Sequence, residues 1–429
     1  MTTTNEKLFE YIKASPTPYH AVKHTAETLL AAGYTELCEG DEWSLATGCR
    51  YFVTRGGSSL ISFKIPEGDA VGFMISAAHS DSPCFKIKDN SIIDGGSYLR
   101  LSTEGYGGMI CSTWLDRPLA VAGRVTVKTE RGLDVKLVDS KKPCAIIPNV
   151  AIHMNRKVNE GVPYNNAVDM IPLFGSTGNS ESFSDMIASL AGVPKEDIIT
   201  HDLLVYNPEC GVEWNEFISS PRLDDLQCAF ASFEAYVNAE TGRSIPVYCL
   251  FDNEEVGSLT KQGADSTFLN DTLERVCSAL NGRAFKQMCA DSFLVSCDNA
   301  HAVHPNHPEL SDKNHSVYMN GGIVIKYNAN QKYTSDAISA GLFRLICDEA
   351  GVKCQMYANR ADMPGGSTLG NISNAHVSLN SIDIGLAQLA MHSSFETAGR
   401  NDTADMIRAL TLFFSRSIKM KRDGEYVID

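Results

Sequence analysis

Apolar positions recur at helical spacing through residues 4–32 and are broken once, at Ser15-Pro16-Thr17-Pro18. This pattern predicts an amphipathic helix with an interruption there and a turn at Gly33. Strand-like segments follow at Arg50–Thr54 and Ser59–Ile65, joined by Gly56-Gly57, and the apolar run Val71–Ala78 predicts a buried strand ending at His79-Ser80-Asp81. From about Leu99 to Val150 the texture changes. GRVTVKT and LDVKLVD are short alternating segments bounded by glycine and charge, as in a β-rich module. An inserted β-rich domain is therefore expected at 95–215, interrupting an α/β domain whose parts are 1–94 and 216–429.

Helix and strand patterns alternate again beyond the insertion. DLQCAFASFEAYVNA reads as a helix, and IPVYCLF as a strand running directly into Asp252-Asn253-Glu254-Glu255. FLVSC leads in the same way into Asp298, and Ser335–Glu349 is helical before the strand-like VSLNSIDIG. In open α/β sheets, ligands sit outside the carboxyl ends of the strands, so residues far apart in sequence can converge there. His79/Asp81, Glu254/Glu255 and Asp298 occupy three such ends.

A length of 429 residues fits two domains better than one core. No apolar run approaches the roughly 18 residues that span a bilayer, so no membrane partner is expected. The formal charge of −15 disfavours nucleic acid as a partner, because phosphate would be repelled. The segment Met1–Tyr11 lacks a basic stretch followed by an apolar one, which reads against export. Thirteen cysteines without regular spacing read as reduced thiols, and a cytoplasmic location is expected.

The candidate chemistry is that of metals and activated water. Glu255 placed at a strand end can meet a metal while the adjacent Glu254 meets the water, a cation offsetting their mutual repulsion. An exposed acidic turn is the plainer explanation, but the pair is flanked by IPVYCLF and Val256-Gly257, which read as core. His79 can ligate through one ring nitrogen while Asp81 accepts the proton of the other. Asp224 and Asp225, in the apparent first turn of a helix, either complement its dipole or supply a carboxylate that bridges two cations. Asp298 is followed by His301, His304 and His307, and spacing does not select among them. His392, in LAQLAMHSSFE, is expected on a helix. Arg360, Asp362 and the PGGSTLG segment with Gly366 mark a loop suited to enclosing a substrate. The chain has no HExxH helix, GxSxG elbow or GxxxxGK phosphate loop, which favours hydrolysis by water over serine or ATP chemistry.

AAHSDSPCFKIK, TWLDRPLAVAGRV, IPNVAIHMNR, SPRLDDL, DNEEVGS, SCDNAHAVHPN, KYNANQKY, PGGSTLG and DIGLAQLAMHS together resemble the aspartyl aminopeptidase, or M18 aminopeptidase, family in that family's order. The resemblance implies a zinc-aminopeptidase-like α/β domain with a mostly parallel or mixed central sheet, interrupted by a β-rich dimerisation domain. It also implies a dodecamer built from dimers, and removal of N-terminal Asp or Glu from small peptides with a free N-terminus. By the same resemblance two divalent metal ions, zinc, are expected per subunit. His79 and Glu255 would serve one ion, Asp298 and His392 the other, with Asp224 as the bridge, Glu254 as the base and Asp81 orienting His79. His153 would reach a neighbouring subunit's site, and Lys326 and Tyr333 would stand near substrate. Where relatives carry HSxRE and GxTxGP patterns, this chain has Phe395 and Asn371, and Phe395 cannot replace an arginine's charge. The other readings are a related binuclear deacylase or carboxypeptidase, and a non-catalytic metal-binding assembly protein, in which Glu254 would have no role.

Overall fold

A computed structural model of the chain describes residues 2–178, 182–280, 282–366 and 368–429. The interrupted N-terminal pattern becomes two helices, Thr4–Ala14 and Pro18–Ala31. Pro18 opens the second, where a proline's missing N–H and fixed φ cost nothing. Among the described residues nine strands then form the central sheet. Four neighbours at its middle, in the order Ile245–Phe251, Phe73–His79, Phe293–Cys297 and Asn380–Gly385, run parallel. Antiparallel pairs on both flanks make the whole sheet mixed.

Every residue of Phe73–His79 is buried, as expected of a parallel strand covered on both faces. Met74 and Ala78 pack into the core shared with helices Thr4–Ala14, Leu223–Asn238 and Asp402–Ser415, while Phe73, Ile75 and Ala77 enter a second core with Phe268–Leu280. The sheet is thus held between two helical layers, and its parallel strands deliver His79, Asp252 and Asp298 to one edge.

A second sheet is built entirely from strands between Cys84 and Tyr206. Pro118–Thr129 pairs with both Ala145–Ile146 and Ile198–Tyr206, closing the sheet on itself as a barrel. Phe85, Leu101, Val121, Val125 and Leu203 belong to a core of its own. The barrel begins before the expected boundary at 95, because Cys84–Asp94 pairs with Tyr98–Tyr106 and Ile198–Tyr206. Its one-sided burial, with Phe85 and Ile87 inside and Lys88 outside, is the periodicity of a barrel strand.

A third, smaller sheet joins Phe217–Ser220, Glu396–Gly399, Ala387–Leu389 and Ala300–His301. It corrects the helix expected around His392. Ala390 and His392 both have positive φ, 56° and 68°, which a right-handed helix cannot contain, so this segment turns between two paired strands.

Candidate active site

The carboxylates expected at the strand ends meet at the edge of the central sheet, beside the barrel. Asp224 and Asp225 precede the regular part of their helix: Arg222 is left-handed and Asp224 extended (φ −82°, ψ 110°). This local geometry turns Asp224 away from a helix-capping role. Both of its carboxylate oxygens face imidazoles, with Oδ1 3.5 Å from His79 Nε2 and Oδ2 3.5 Å from His392 Nε2. Asp225 instead accepts the His79 backbone N–H at 3.1 Å.

Glu254 and Glu255 occupy a single 3₁₀ turn that starts from the left-handed Asn253. Their side chains diverge: Glu254 Oε2 lies 4.0 Å from His79 Nε2, and Glu255 Oε2 lies 3.3 Å from His392 Nε2. Asp298 Oδ1 is 3.9 Å from His79 Nε2. The donors therefore divide into His79, Asp224 and Asp298 on one side and His392, Asp224 and Glu255 on the other. A third grouping joins His79 to both glutamates. The sequence expectation paired Glu255 with His79 and Asp298 with His392; the closer contacts pair them the other way, with Glu255 Oε2 3.3 Å from His392 Nε2 and Asp298 following the strand that pairs with the one ending at His79.

Both imidazoles have Nε2 directed at the carboxylates. Nδ1–H of His79 donates to the Asp81 carbonyl at 3.0 Å, with the Asp81 carboxylate at 3.4 Å, and Nδ1–H of His392 donates to the Gly108 carbonyl at 2.6 Å. Nε2 is thus the ring atom that each imidazole presents to the carboxylates, and against the effect of burial Asp224, Asp298 and Asp81 hold His79 well above its ordinary range. The Asp81 carboxylate has a further task that the sequence did not reveal. It accepts the backbone N–H groups of Glu254 and Glu255, each at 3.1 Å, and the Tyr106 hydroxyl at 2.7 Å. Glu396, also unforeseen, accepts the backbone N–H groups of Asp224 at 3.0 Å and His392 at 2.7 Å. Its position in HSSFE, four residues after His392, was the available signal.

So many buried acids oppose one another's ionisation. Burial, reinforced by Asp298, Asp81 and Asp224 against the opposing pull of His79, pushes Glu254 up to about 8. Burial, followed by the charge of Asp224, holds Glu255 well above the carboxylate range. Burial also acts on Asp298, yet Lys326 and His79 keep it below that range. Lys326 Nζ donates to Asp298 Oδ2 at 3.1 Å and lies 5.5 Å from the Tyr333 ring centre.

A cavity of about 320 Å³ opens over these groups, lined by Asp224, Glu254, Glu255, Asp298, Lys326 and His392, and also by Tyr333 and Gly366. His79 and Asp81 are buried behind it. His301 joins the lining, whereas His304 and His307 are exposed and lie against each other with tilted rings, 5.2 Å between centres. Gly366 has open space where a Cβ would stand; the crowded residue is Gly365, whose Cβ would meet Asn359 Oδ1 at 2.5 Å. Ser367 lies outside the described residues. Arg360 is engaged by Asp362 at 2.6 Å, and Phe395 lies 5.9 Å from the Arg117 guanidinium, so neither is among the described residues lining the cavity. His153 is exposed on a turn of the barrel, apart from that lining.

The family model described as aminopeptidase I zinc metalloprotease (M18) matches residues 11–414. A protein of Clostridium novyi called a probable M18 family aminopeptidase 2 is 44% identical over 411 residues, covering 92% of this chain and 95% of the relative. The structure of an Ape4 and Nbr1 complex matches with a TM-score of 0.91 at 33% identity, covering 95% of this chain and 85% of that one. The mApe1 dodecamer of S. cerevisiae matches with a TM-score of 0.84 at 26% identity, covering 95% of each chain.

Proposed function

This chain belongs to the M18 family and is a zinc aminopeptidase, and from that premise we propose that it releases Asp or Glu from the free N-terminus of small peptides, with two zinc ions and Glu254 as general base. The observation that carries the reading is the placement of Asp224, one carboxylate oxygen toward each of two imidazoles.

The residues fit two cations. Among the described residues Asp224 Oδ1 and Glu255 Oε1 are buried without a hydrogen-bond partner, and both imidazoles turn Nε2 toward the same carboxylates, where a cation would take the place of a proton. Buried carboxylates left unpaired are costly, and cations would remove that cost. His79 and Asp298 would hold one zinc, His392 and Glu255 the other, with Asp224 shared. Zinc held by these residues would supply Lewis acidity for polarising the scissile carbonyl.

Glu254 is the carboxylate left over when each half of the centre has its donors. It lines the cavity, and with cations offsetting the burial and the neighbouring acids that raise it, it would be ionised at neutral pH and could take a proton from the attacking water and deliver one to the departing amine. Its turn is fixed by the backbone bonds to Asp81. Among the described residues lining the cavity Lys326 is the one lysine or arginine, and it supports the acidic preference: a substrate carboxylate would share it with Asp298, while Tyr333 packs against its ammonium.

Self-association through the barrel, as a dodecamer built from dimers, is supported by the dodecameric relative and by apolar side chains on the barrel surface. Val150, Ile152 and Met154 are 52%, 48% and 83% exposed around His153. Among the described residues no helix is long and apolar enough to cross a membrane. All thirteen cysteines are unpaired, in keeping with a reducing cytoplasm.

Cleavage of a peptide library by zinc-loaded protein tests the reading. We expect release of first residues only, Asp and Glu fastest, with N-acetylated peptides untouched. Turnover of the acetylated set would indicate a deacylase, and release from the carboxyl end a carboxypeptidase.

A further inference from the structure

The barrel strand Tyr98–Tyr106, still paired with Cys84 at its last residue, runs on into Gly107–Ile110 against the carboxylate centre. Its residues make successive contacts there. Tyr106 Oη donates to Asp81 Oδ2 at 2.7 Å and accepts from Asn253 Nδ2 at 2.9 Å. Gly107, at φ +73°, is so close to the glutamate turn that an added Cβ would stand 3.1 Å from Glu255 Cβ and 3.4 Å from Pro83. Gly108 accepts the His392 ring N–H at 2.6 Å, and the Ile110 backbone N–H donates to the His392 carbonyl at 3.0 Å. Farther on, Thr113 accepts the Ser394 hydroxyl at 2.5 Å and the Ser394 N–H at 3.0 Å.

These contacts fall on the Glu255 and His392 half: Tyr106 shares Asp81 Oδ2 with the Glu255 N–H, while Asp81 Oδ1 faces Glu254 and His79. Glu255 is restrained through Gly107 and, by way of Asp81, through Tyr106. His392 is held by ring and main chain at once, in a left-handed conformation (φ 68°) that a non-glycine residue rarely adopts unaided. Asp298, by contrast, is secured from the opposite side by Lys326.

We infer that Tyr106–Ile110 is a positioning strap by which the barrel sets the geometry of Glu255 and His392, and so tunes the affinity of the zinc they share with Asp224. The inference rests on the two-zinc reading above. Its physical basis is that groups orienting a ligand contribute to metal affinity without touching the metal. Glycine is required at the strap's middle because a side chain there would drive against Glu255 at a φ that β-carbons resist. A consequence follows for the fold: whatever displaces the barrel against the central sheet would be felt first at the Glu255 and His392 zinc.

The test is stepwise zinc binding by the full-length protein, measured by competition with a chromophoric chelator, for wild type, Tyr106→Phe, Gly107→Ala and Asp298→Asn. Asp298→Asn identifies which step belongs to the other zinc. Tyr106→Phe removes one oxygen and keeps the ring, so it remains informative if Gly107→Ala fails to fold. We expect Tyr106→Phe to weaken the step that Asp298→Asn spares by about 10-fold, and Gly107→Ala to weaken it by 10- to 100-fold, on the order seen for groups that orient metal ligands. A loss confined to that step, with the other step unchanged in the same folded variant, separates positioning from general destabilisation. Unchanged affinities in the folded variants, or equal losses at both steps, overturn the strap. A wild-type protein that binds fewer than two zinc ions removes the two-zinc reading itself, and the strap with it.

Discussion

His392 Nε2 stands 3.3 Å from Glu255 Oε2, on the far side of Asp224 from His79. The pairing predicts how the centre comes apart. Asp298→Asn should loosen the zinc held with His79, Glu255→Gln the zinc held with His392, and Asp224→Asn both. Metal stoichiometry after equilibration at equal free zinc checks this. Two tightly held ions in the Asp224 variant would rule out the bridge, and loss of the same ion in the Asp298 and Glu255 variants would rule out the division.

What was legible in the sequence was whatever a short window encodes. The continuous apolar runs ending in His79, Asp252 and Asp298 placed three strand ends, since a parallel strand buried on both faces leaves little ambiguity. The choice of Asp224 over Asp225 was not local, because it depends on a bend in the backbone after Arg222 that propensity does not predict. His392 looked helical because LAQLAM is rich in helix formers; pairing of Ala387–Leu389 with Ala300–His301 and Glu396–Gly399 overrode that preference. The work of Asp81 on the glutamate turn and of Glu396 on two ligand backbones involves partners distant in sequence, and no spacing rule reaches them.

Glu254→Gln should keep both zinc ions and the fold while losing at least on the order of 100-fold in turnover, the scale of a missing general base. Glutamine preserves the shape but cannot accept the proton at neutral pH. Steady-state hydrolysis of an Asp-initiated peptide, paired with metal analysis of the same sample, gives the answer. Turnover close to wild type would remove Glu254 from the mechanism.

Asp402 offers a prediction about stability away from the zinc ligands. Its buried carboxylate accepts the backbone N–H groups of Asn320 at 2.7 Å and Gly322 at 3.2 Å, and burial pushes it up from the ordinary 3.8 to about 6. The folded state therefore keeps a proton that the unfolded chain releases between these values. Stability from this group is full below about pH 4 and is lost as pH rises through about 6, amounting to roughly 3 kcal/mol. Asp402→Asn lacks this dependence. Urea melts of zinc-free wild type and variant between pH 4.5 and 6.5 should show wild type losing stability relative to the variant as pH rises. Parallel profiles would contradict the buried, proton-holding carboxyl.

His153 sets the last prediction. It lies on exposed barrel surface among Val150, Ile152 and Met154, and it is absent from the described lining of its own subunit's cavity. A histidine so placed can serve a site only if another copy of the chain brings one to it. If the barrels associate, each cavity would combine one subunit's Glu254 with a neighbour's His153. Subunits carrying His153→Ala and subunits carrying Glu254→Gln should each be nearly inactive alone. Mixed under conditions that exchange protomers, they should regain part of the wild-type turnover, since some cavities then unite an intact Glu254 with an intact His153. Native mass spectrometry reports whether hybrids have formed. Hybrids without activity above either parent would defeat the shared site, and full activity of the His153→Ala homomer would show that the residue has no part in hydrolysis.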